Sequence, residues 1–308
     1  MRHITEDYCK NTETVKSNVS KSSTKKHLIY SVLIIVALLA VGLAAILLHP
    51  VELTVEFYSI NADISQAVRI VHLTDLHSCE YGEQNKELLA LVKNMDPDLI
   101  LMTGDMIDES SESPSVIIDL ISALSAEAPL YYGYGNHETE WQNRHTEDLA
   151  EILSEAGAIV VNGEYIDTEI NGQPIRIGGY SGYYRNPGML YKSDEQMQSD
   201  IAFADDFENT DRFKILLCHI PTVWLNWNKI DVYPVDLVLS GHYHGGQIRL
   251  PIIGGLYAPY VGLFPKYTKG VFEGKAAACV LSAGLANSCI RLNNPPEIIS
   301  IDLIPAMP

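Results

Sequence analysis

The stretch VLSGHYHGGQIRLP, residues 238–251, ends an apolar run on Ser-Gly, then holds out two histidines with one residue between them, then adds two glycines. Four other short runs end in a comparable way. VRIVHL (68–73) runs into TDLHS, DLILM (98–102) into TGDMID, PLYYGY (129–134) into GNHE, and FKILLC (213–218) into HIP. Seven side chains on these turns are candidate ligands: Asp75, His77, Asp105, Asn136, His219, His242 and His244. They offer two carboxylates, four imidazoles and one amide oxygen, with no thiolate. Nitrogen and hard-oxygen donors of this kind suit Mn²⁺, Fe²⁺ or Zn²⁺. The set exceeds the needs of one tetrahedral ion and fits two ions about 3.5–4 Å apart that share one carboxylate. Side chains two residues apart reach one ion only from a bent turn, which accounts for Gly241, Gly245 and Gly246.

The elements that must position these residues follow from the same runs. Each is short, apolar or β-branched, and stops at a polar turn, so each reads as a strand with both faces buried. Helix-like stretches lie between the first runs, at 83–95 and 113–125. The second has Ser113 as a cap, Pro114 at the first helical position and apolar residues at three- and four-residue spacing. Further strands are expected at 51–59, 158–161, 174–178, 246–250, 276–282 and 297–303, with NGQP (171–174) as a hairpin turn. The predicted class is α/β, with two packed sheets flanked by helices. In open α/β sheets, ligands gather where strands end, which is where the candidate residues lie. His72 alternates inside a strand and reads as packing.

The chain has 308 residues and a formal net charge of −18. That acidity excludes a nucleic acid as the main partner, because a polyanion needs a basic face. Residues 1–27 run against the trend, with six Lys/Arg and three acids, and read as a disordered tail. Residues 28–48 carry no charge. As a helix that run is roughly 31 Å long, close to the hydrocarbon thickness of a bilayer, and is expected to be an uncleaved transmembrane anchor. Lys25 and Lys26 precede it, while Glu52 and Glu56 follow. The positive-inside rule then makes the tail cytoplasmic and 49–308 an extracytoplasmic domain at the cell membrane. The five cysteines contain no C-x-x-C pair, so no thiolate zinc site is expected.

DLH, GD, GNHE, a lone histidine after a strand, and GHYH occur in that order. The series resembles the calcineurin-like metallophosphoesterase superfamily over about residues 50–304. The ending LSAGLANSCIRLNNPPEIISIDL resembles more narrowly the membrane-anchored bacterial YkuE/YaeI-like branch, part of which is linked to UDP-2,3-diacylglucosamine hydrolysis. The resemblance implies a four-layer αββα sandwich. It also implies one metal on Asp75, His77, Asp105 and His244, and a second on Asp105, Asn136, His219 and His242, with Mn²⁺ favoured. A hydroxide bridging the metals would attack phosphorus in a phosphomonoester, phosphodiester or pyrophosphate. His137 would protonate the leaving oxygen or hydrogen-bond to it. Asp108 would orient that histidine, with Glu138 as an acceptor behind the site the alternative. Glu109 stands where related protein phosphatases carry Arg, which disfavours a phosphoprotein substrate and leaves a phosphorylated small molecule or an envelope lipid. The competing reading is a metal-dependent phospho-ligand binding module at the cell surface. Arg185 is a candidate phosphate contact. The stretch 252–267 reads as a loop packed on the sheet, with a lip touching lipid as the alternative.

Overall fold

The computed structural model describes residues 29–38, 41–42, 52–182, 184, 194–287 and 290–306. The chain divides into two units, Met1–Pro50 and Val51–Pro308. In the first, residues 29–38 and 41–42 are helical and exposed. Among the described residues, no helix is long and apolar enough to cross a membrane. Of the spanning helix expected over 28–48, only those twelve positions are described. Its remaining positions, the tail expected over 1–27, and Arg185 lie outside the described residues.

The second unit is built on two six-stranded sheets. One holds β1 (Thr54–Ala62), β2 (Val68–Leu73), β3 (Leu99–Met102), β4 (Leu130–Gly133), β5 (Ile159–Val161) and β16 (Glu297–Pro305), in the order β1-β16-β2-β3-β4-β5. The other holds β6 (Tyr165–Ile170), β7 (Gln173–Gly179), β8 (Phe213–Leu217), β9 (Leu237–Ser240), β14 (Gly270–Glu273) and β15 (Ala278–Leu281), in the order β14-β15-β9-β8-β7-β6. Between β9 and β14 run four two-residue strands: β10 (Arg249–Leu250), β11 (Gly254–Gly255), β12 (Tyr257–Ala258) and β13 (Gly262–Leu263). β2, β3, β4 and β5 are mutually parallel, as are β7, β8, β9 and β15.

Period-two alternation explains why the strands read as unbroken apolar runs. Ile70, Leu99 and Leu101 of one sheet meet Ile215, Leu217, Leu237 and Leu239 of the other in a core between the sheets. The alternate residues Val71, Leu73, Ile100 and Met102 face the opposite way, onto Leu88, Val92, Ile117, Leu120 and Leu153 of the helices Lys86–Asn94, Ser115–Leu124 and Leu149–Glu155. On the far side of the second sheet, Leu216 and Val238 pack with Phe207 of the helix Asp194–Glu208 and with Val223 and Trp224 of Thr222–Leu225. Every strand of the central rows is therefore covered on both faces. The four-layer α/β sandwich expected from the sequence is the observed architecture.

Three local readings differ. The helix expected over 83–95 begins at Lys86, because Gln84 and Asn85 sit at φ 55° and 58°. The helix after Pro114 starts at Ser115 with no side-chain cap, so Ser113 does not cap it. The strand expected over 246–250 shrinks to Arg249–Leu250, because 244–246 form a tight turn instead. The NGQP hairpin forms as expected, with Asn171 and Gly172 both at positive φ between β6 and β7.

Candidate metal centre

Every predicted ligand lies just past the C-terminal end of a parallel strand. Asp75 and His77 follow β2, Asp105 follows β3, and Asn136 opens the helix Asn136–Arg144 after β4. His219 follows β8, and His242 and His244 follow β9. Both carboxylates thus come from one sheet, while three of the four imidazoles come from the other.

These loops bend sharply. Asp75, His77, Asp105, His242 and His244 all have φ between 45° and 69°. Left-handed backbone costs a non-glycine residue about 1–2 kcal/mol, so five strained ligands persist only because their surroundings hold them. Two glycines permit the close approach. A Cβ at Gly241 would lie 2.1 Å from Asp75 Oδ2, and one at Gly135 would lie 2.2 Å from Asp105 Oδ1.

The donor atoms converge. Asp75, His77 and His244 form one cluster, and Asp105, His219 and His242 another, each with ligand atoms within 4.8 Å of one another. Asp105 also clusters with His77 and His137, so it stands between the two groups as the bridging role requires. His77 Nε2 is 4.0 Å from both Asp75 Oδ1 and Asp105 Oδ2. His77 Nε2, Asn136 Oδ1, His242 Nε2 and His244 Nδ1 are buried with no hydrogen-bond partner. An unsatisfied buried polar atom costs about 1–3 kcal/mol, and four of them around two buried carboxylates fit a pair of cations. Six of the seven predicted ligands therefore cluster, and Asn136 presents a buried, unpaired Oδ1.

The hydrogen bonds around the cage select the ligating forms. His219 Nδ1 lies 2.8 Å from the Thr103 carbonyl oxygen, which can only accept. The ring therefore donates from Nδ1 and turns Nε2 toward Asp105 Oδ2 at 2.9 Å. The backbone N–H of His242 donates to both oxygens of Asp75, and that of His137 to Asp105 Oδ1. Burial lowers His77 to about 4 and His242 to about 3, leaving neutral imidazoles ready to ligate. His219 goes the other way. Burial opposes its charged form, but Asp105 and Asp75 outweigh burial and raise it to about 9. A proton there occupies the place a cation would take. Loading with Mn²⁺ at pH 7 is therefore expected to release about one proton from His219. Calorimetry in buffers of different ionisation enthalpy reads that number, and zero release would contradict the assignment.

Glu138 ties two loops together. Its oxygens accept from Asp105 N at 2.7 Å, Met106 N at 2.9 Å, Gly135 N at 2.8 Å and the Tyr132 hydroxyl at 2.7 Å. Burial and the neighbouring Asp105 raise its pKa. This is the acceptor role expected of it behind the site.

Asp108 is placed differently from expectation. Its carboxylate accepts from the backbone and hydroxyl of Ser110, whose hydrogen bonds hold the carboxyl below its usual range against the opposing effect of burial. No hydrogen bond joins Asp108 to His137. His137 Nδ1 instead accepts from the Glu109 backbone N–H at 3.1 Å. A neutral ring whose Nδ1 accepts carries its proton on Nε2, and that atom lies 3.9 Å from Asp105 Oδ2. His137 thus presents a hydrogen-bond donor to the site, and a backbone amide orients it. His72 is fully buried, with Nε2 against Thr103 Oγ1 at 2.8 Å, and is packing as read. Cys79 packs beside the helical core, and Cys79, Cys218 and Cys279 are free thiols.

Residues 68–246 match the calcineurin-like phosphoesterase family model. The chain belongs to the calcineurin-like phosphoesterase family. As a metallophosphoesterase it is a hydrolase of phosphoester bonds. It is 30% identical over 249 residues to the metallophosphoesterase YkuE of Bacillus subtilis, covering 75% of this chain and 77% of YkuE. It is 27% identical over 186 residues to the metallophosphoesterase YkoQ of the same organism, covering 60% of this chain and spanning 63% of YkoQ's length. It is 24% identical over 246 residues to the phosphodiesterase YaeI of Escherichia coli, covering 79% of this chain and 84% of YaeI. The family is one of dinuclear divalent-metal sites, and the structure clusters His and Asp side chains that suit such ions.

One residue near the cage carried no signal in the sequence reading. The ring of Tyr260 stacks on that of His242, with centroids 5.2 Å apart and planes 12° from parallel. Tyr260 lies in the stretch 252–267, which packs on the core of the second sheet through Ala258, Val261 and Tyr267 but leaves other side chains in solvent. Tyr260, Leu263 and Phe264 are 73%, 68% and 56% exposed.

Proposed function

We propose that this phosphoesterase hydrolyses a phosphomonoester, phosphodiester or pyrophosphate at a two-metal site, on an amphiphilic or small-molecule substrate of the cell envelope. The observation that carries the reading is the convergence of orphaned, buried donors from five loops around Asp105. Asp75, His77 and His244 would hold one cation with Asp105, while Asn136, His219 and His242 would hold the other with the same carboxylate. Mn²⁺ suits two carboxylates, an amide oxygen and four imidazoles. Divalent cations in that cage supply Lewis acidity toward both water and the phosphoryl oxygens. Asp105 and Asp75 fix the cage's charge, and the Glu138 clamp keeps the Asp105 loop in place. His137 donates from Nε2 to the oxygen on which negative charge develops.

His137→Ala is accordingly expected to lower kcat about 10²–10³-fold while leaving metal content unchanged. Elemental analysis beside steady-state kinetics checks both halves, and a loss of metal in that variant would instead make His137 a ligand. The general test is turnover of p-nitrophenyl phosphate and its bis ester by the chelated and Mn²⁺-restored full chain. Hydrolysis that returns with metal supports the reading, and a fully loaded protein that turns over neither ester nor pyrophosphate supports the binding-module alternative.

The anchor is part of the proposal. An uncharged run of 21 residues, its portion 29–38 helical and exposed, supports a single-pass tether with the tail cytoplasmic and the domain outside. Alkaline extraction of membranes should leave the chain in the pellet, and its release into the wash would remove the tether.

A further inference from the structure

The segment carrying β10 to β13 is held against the metal centre and presents apolar side chains to solvent. The backbone N–H of Leu256 donates to the Gly246 and Ile248 carbonyls at 3.1 and 2.8 Å, which ties the segment to the turn that bears His242 and His244. From that base the hairpin of β12 and β13 lifts Tyr260 over the His242 ring. Three of its large apolar or aromatic residues, Ile252, Tyr260 and Phe264, have φ of 72°, 60° and 54°. All three are also exposed. Backbone strain at buried residues can be offset by packing, but side chains standing in water gain little burial in return. The fold therefore holds these side chains in costly conformations where only an additional group could cover them.

We propose that Tyr260, flanked by Leu263 and Phe264, is a specificity-determining residue that stacks on a flat, unsaturated organic substituent of the phosphoester. The inference rests on the reading that a phosphoester binds at the metal centre. The stacking geometry favours a substrate group over a bilayer. One face of the Tyr260 ring lies on His242, which belongs to the cage, so a group attached to phosphorus held there must pass the edge or outer face of that ring. Ring-on-ring contact rewards a planar partner over a saturated one of equal size. A membrane surface would reward any exposed apolar side chain and has no use for a tyrosine aligned on a ligand.

The test is equilibrium binding of two unreactive probes of like size, phenylphosphonate and cyclohexylphosphonate, to the Mn²⁺-loaded full chain by calorimetry. Wild type is expected to prefer the phenyl probe by about tenfold. Tyr260→Ala should bring that preference close to unity, and Tyr260→Phe should keep it. Equal affinity for both probes in wild type, or a preference that survives Tyr260→Ala, overturns the assignment of Tyr260 alone. Failure of either probe to bind overturns the phosphoester reading and this inference with it. A Leu263→Trp fluorophore quenched by brominated lipid in nanodiscs, with both probes bound alike, would give the patch to a bilayer and likewise overturn the proposal.

Discussion

Asp105→Asn is expected to lower kcat/KM for p-nitrophenyl phosphate by about 10³-fold or more, because both cations lose the carboxylate they share. Asp105 lies between the cluster of Asp75, His77 and His244 and that of His219 and His242, so no neighbour can replace it. The amide is close in size and still accepts from the His137 backbone at the Oδ1 position, so the loop keeps its shape. The loss should therefore appear in metal content before it appears in stability. The same change removes the group that raises His219, whose pKa should then fall and whose proton should no longer be released on loading. Elemental analysis, kinetics and thermal melting on one preparation separate these effects. Undiminished turnover in Asp105→Asn would contradict the bridging role.

Glu138→Ala is expected to be the most damaging change among residues that touch neither metal nor substrate. Its two oxygens accept from four backbone amides and one hydroxyl, all buried. Removing the carboxylate leaves those donors unpaired, at about 1–3 kcal/mol for each that finds no water. A net loss of about 3–5 kcal/mol follows, a large share of what a domain of this size holds in reserve. Glu138→Gln should also be destabilising, because an NH₂ group must then face a backbone N–H. Denaturant melts of the metal-free proteins measure the cost directly. A change within about 0.5 kcal/mol in the alanine variant would mean that the turns after β3 and β4 do not depend on the clamp.

The contrast between these two residues shows what the sequence made legible. Asp105 was readable because its chemistry is carried by residue type and by its place after an apolar run. The same holds for the six aspartate and histidine candidates that the structure brings together and for the sandwich, since strands buried on both faces leave continuous apolar runs that end where sites form. The parts that stayed hidden depend on backbone geometry. Nothing in the letters marks Asp75, His77, Asp105, His242 and His244 as left-handed. Asp108 has the right type and spacing to orient His137, yet a peptide N–H one residue later does so, and a peptide N–H has no letter of its own. The insertion of β16 between β1 and β2 joins segments more than 200 positions apart, which no local pattern records. Tyr260 escaped notice because an aromatic residue among Gly and Pro looks like ordinary loop filling. Only its ring plane against His242 distinguishes it.

The central claim is that residues from five loops of two sheets form one cage for two cations. The most direct measurement is anomalous X-ray diffraction at the manganese edge from crystals of the Mn²⁺-soaked chain. The account predicts two peaks per chain, one bounded by Asp75, His77 and His244 and the other by Asn136, His219 and His242, with Asp105 touching both. A single peak, or no peak within ligand distance of Asp105, would contradict it.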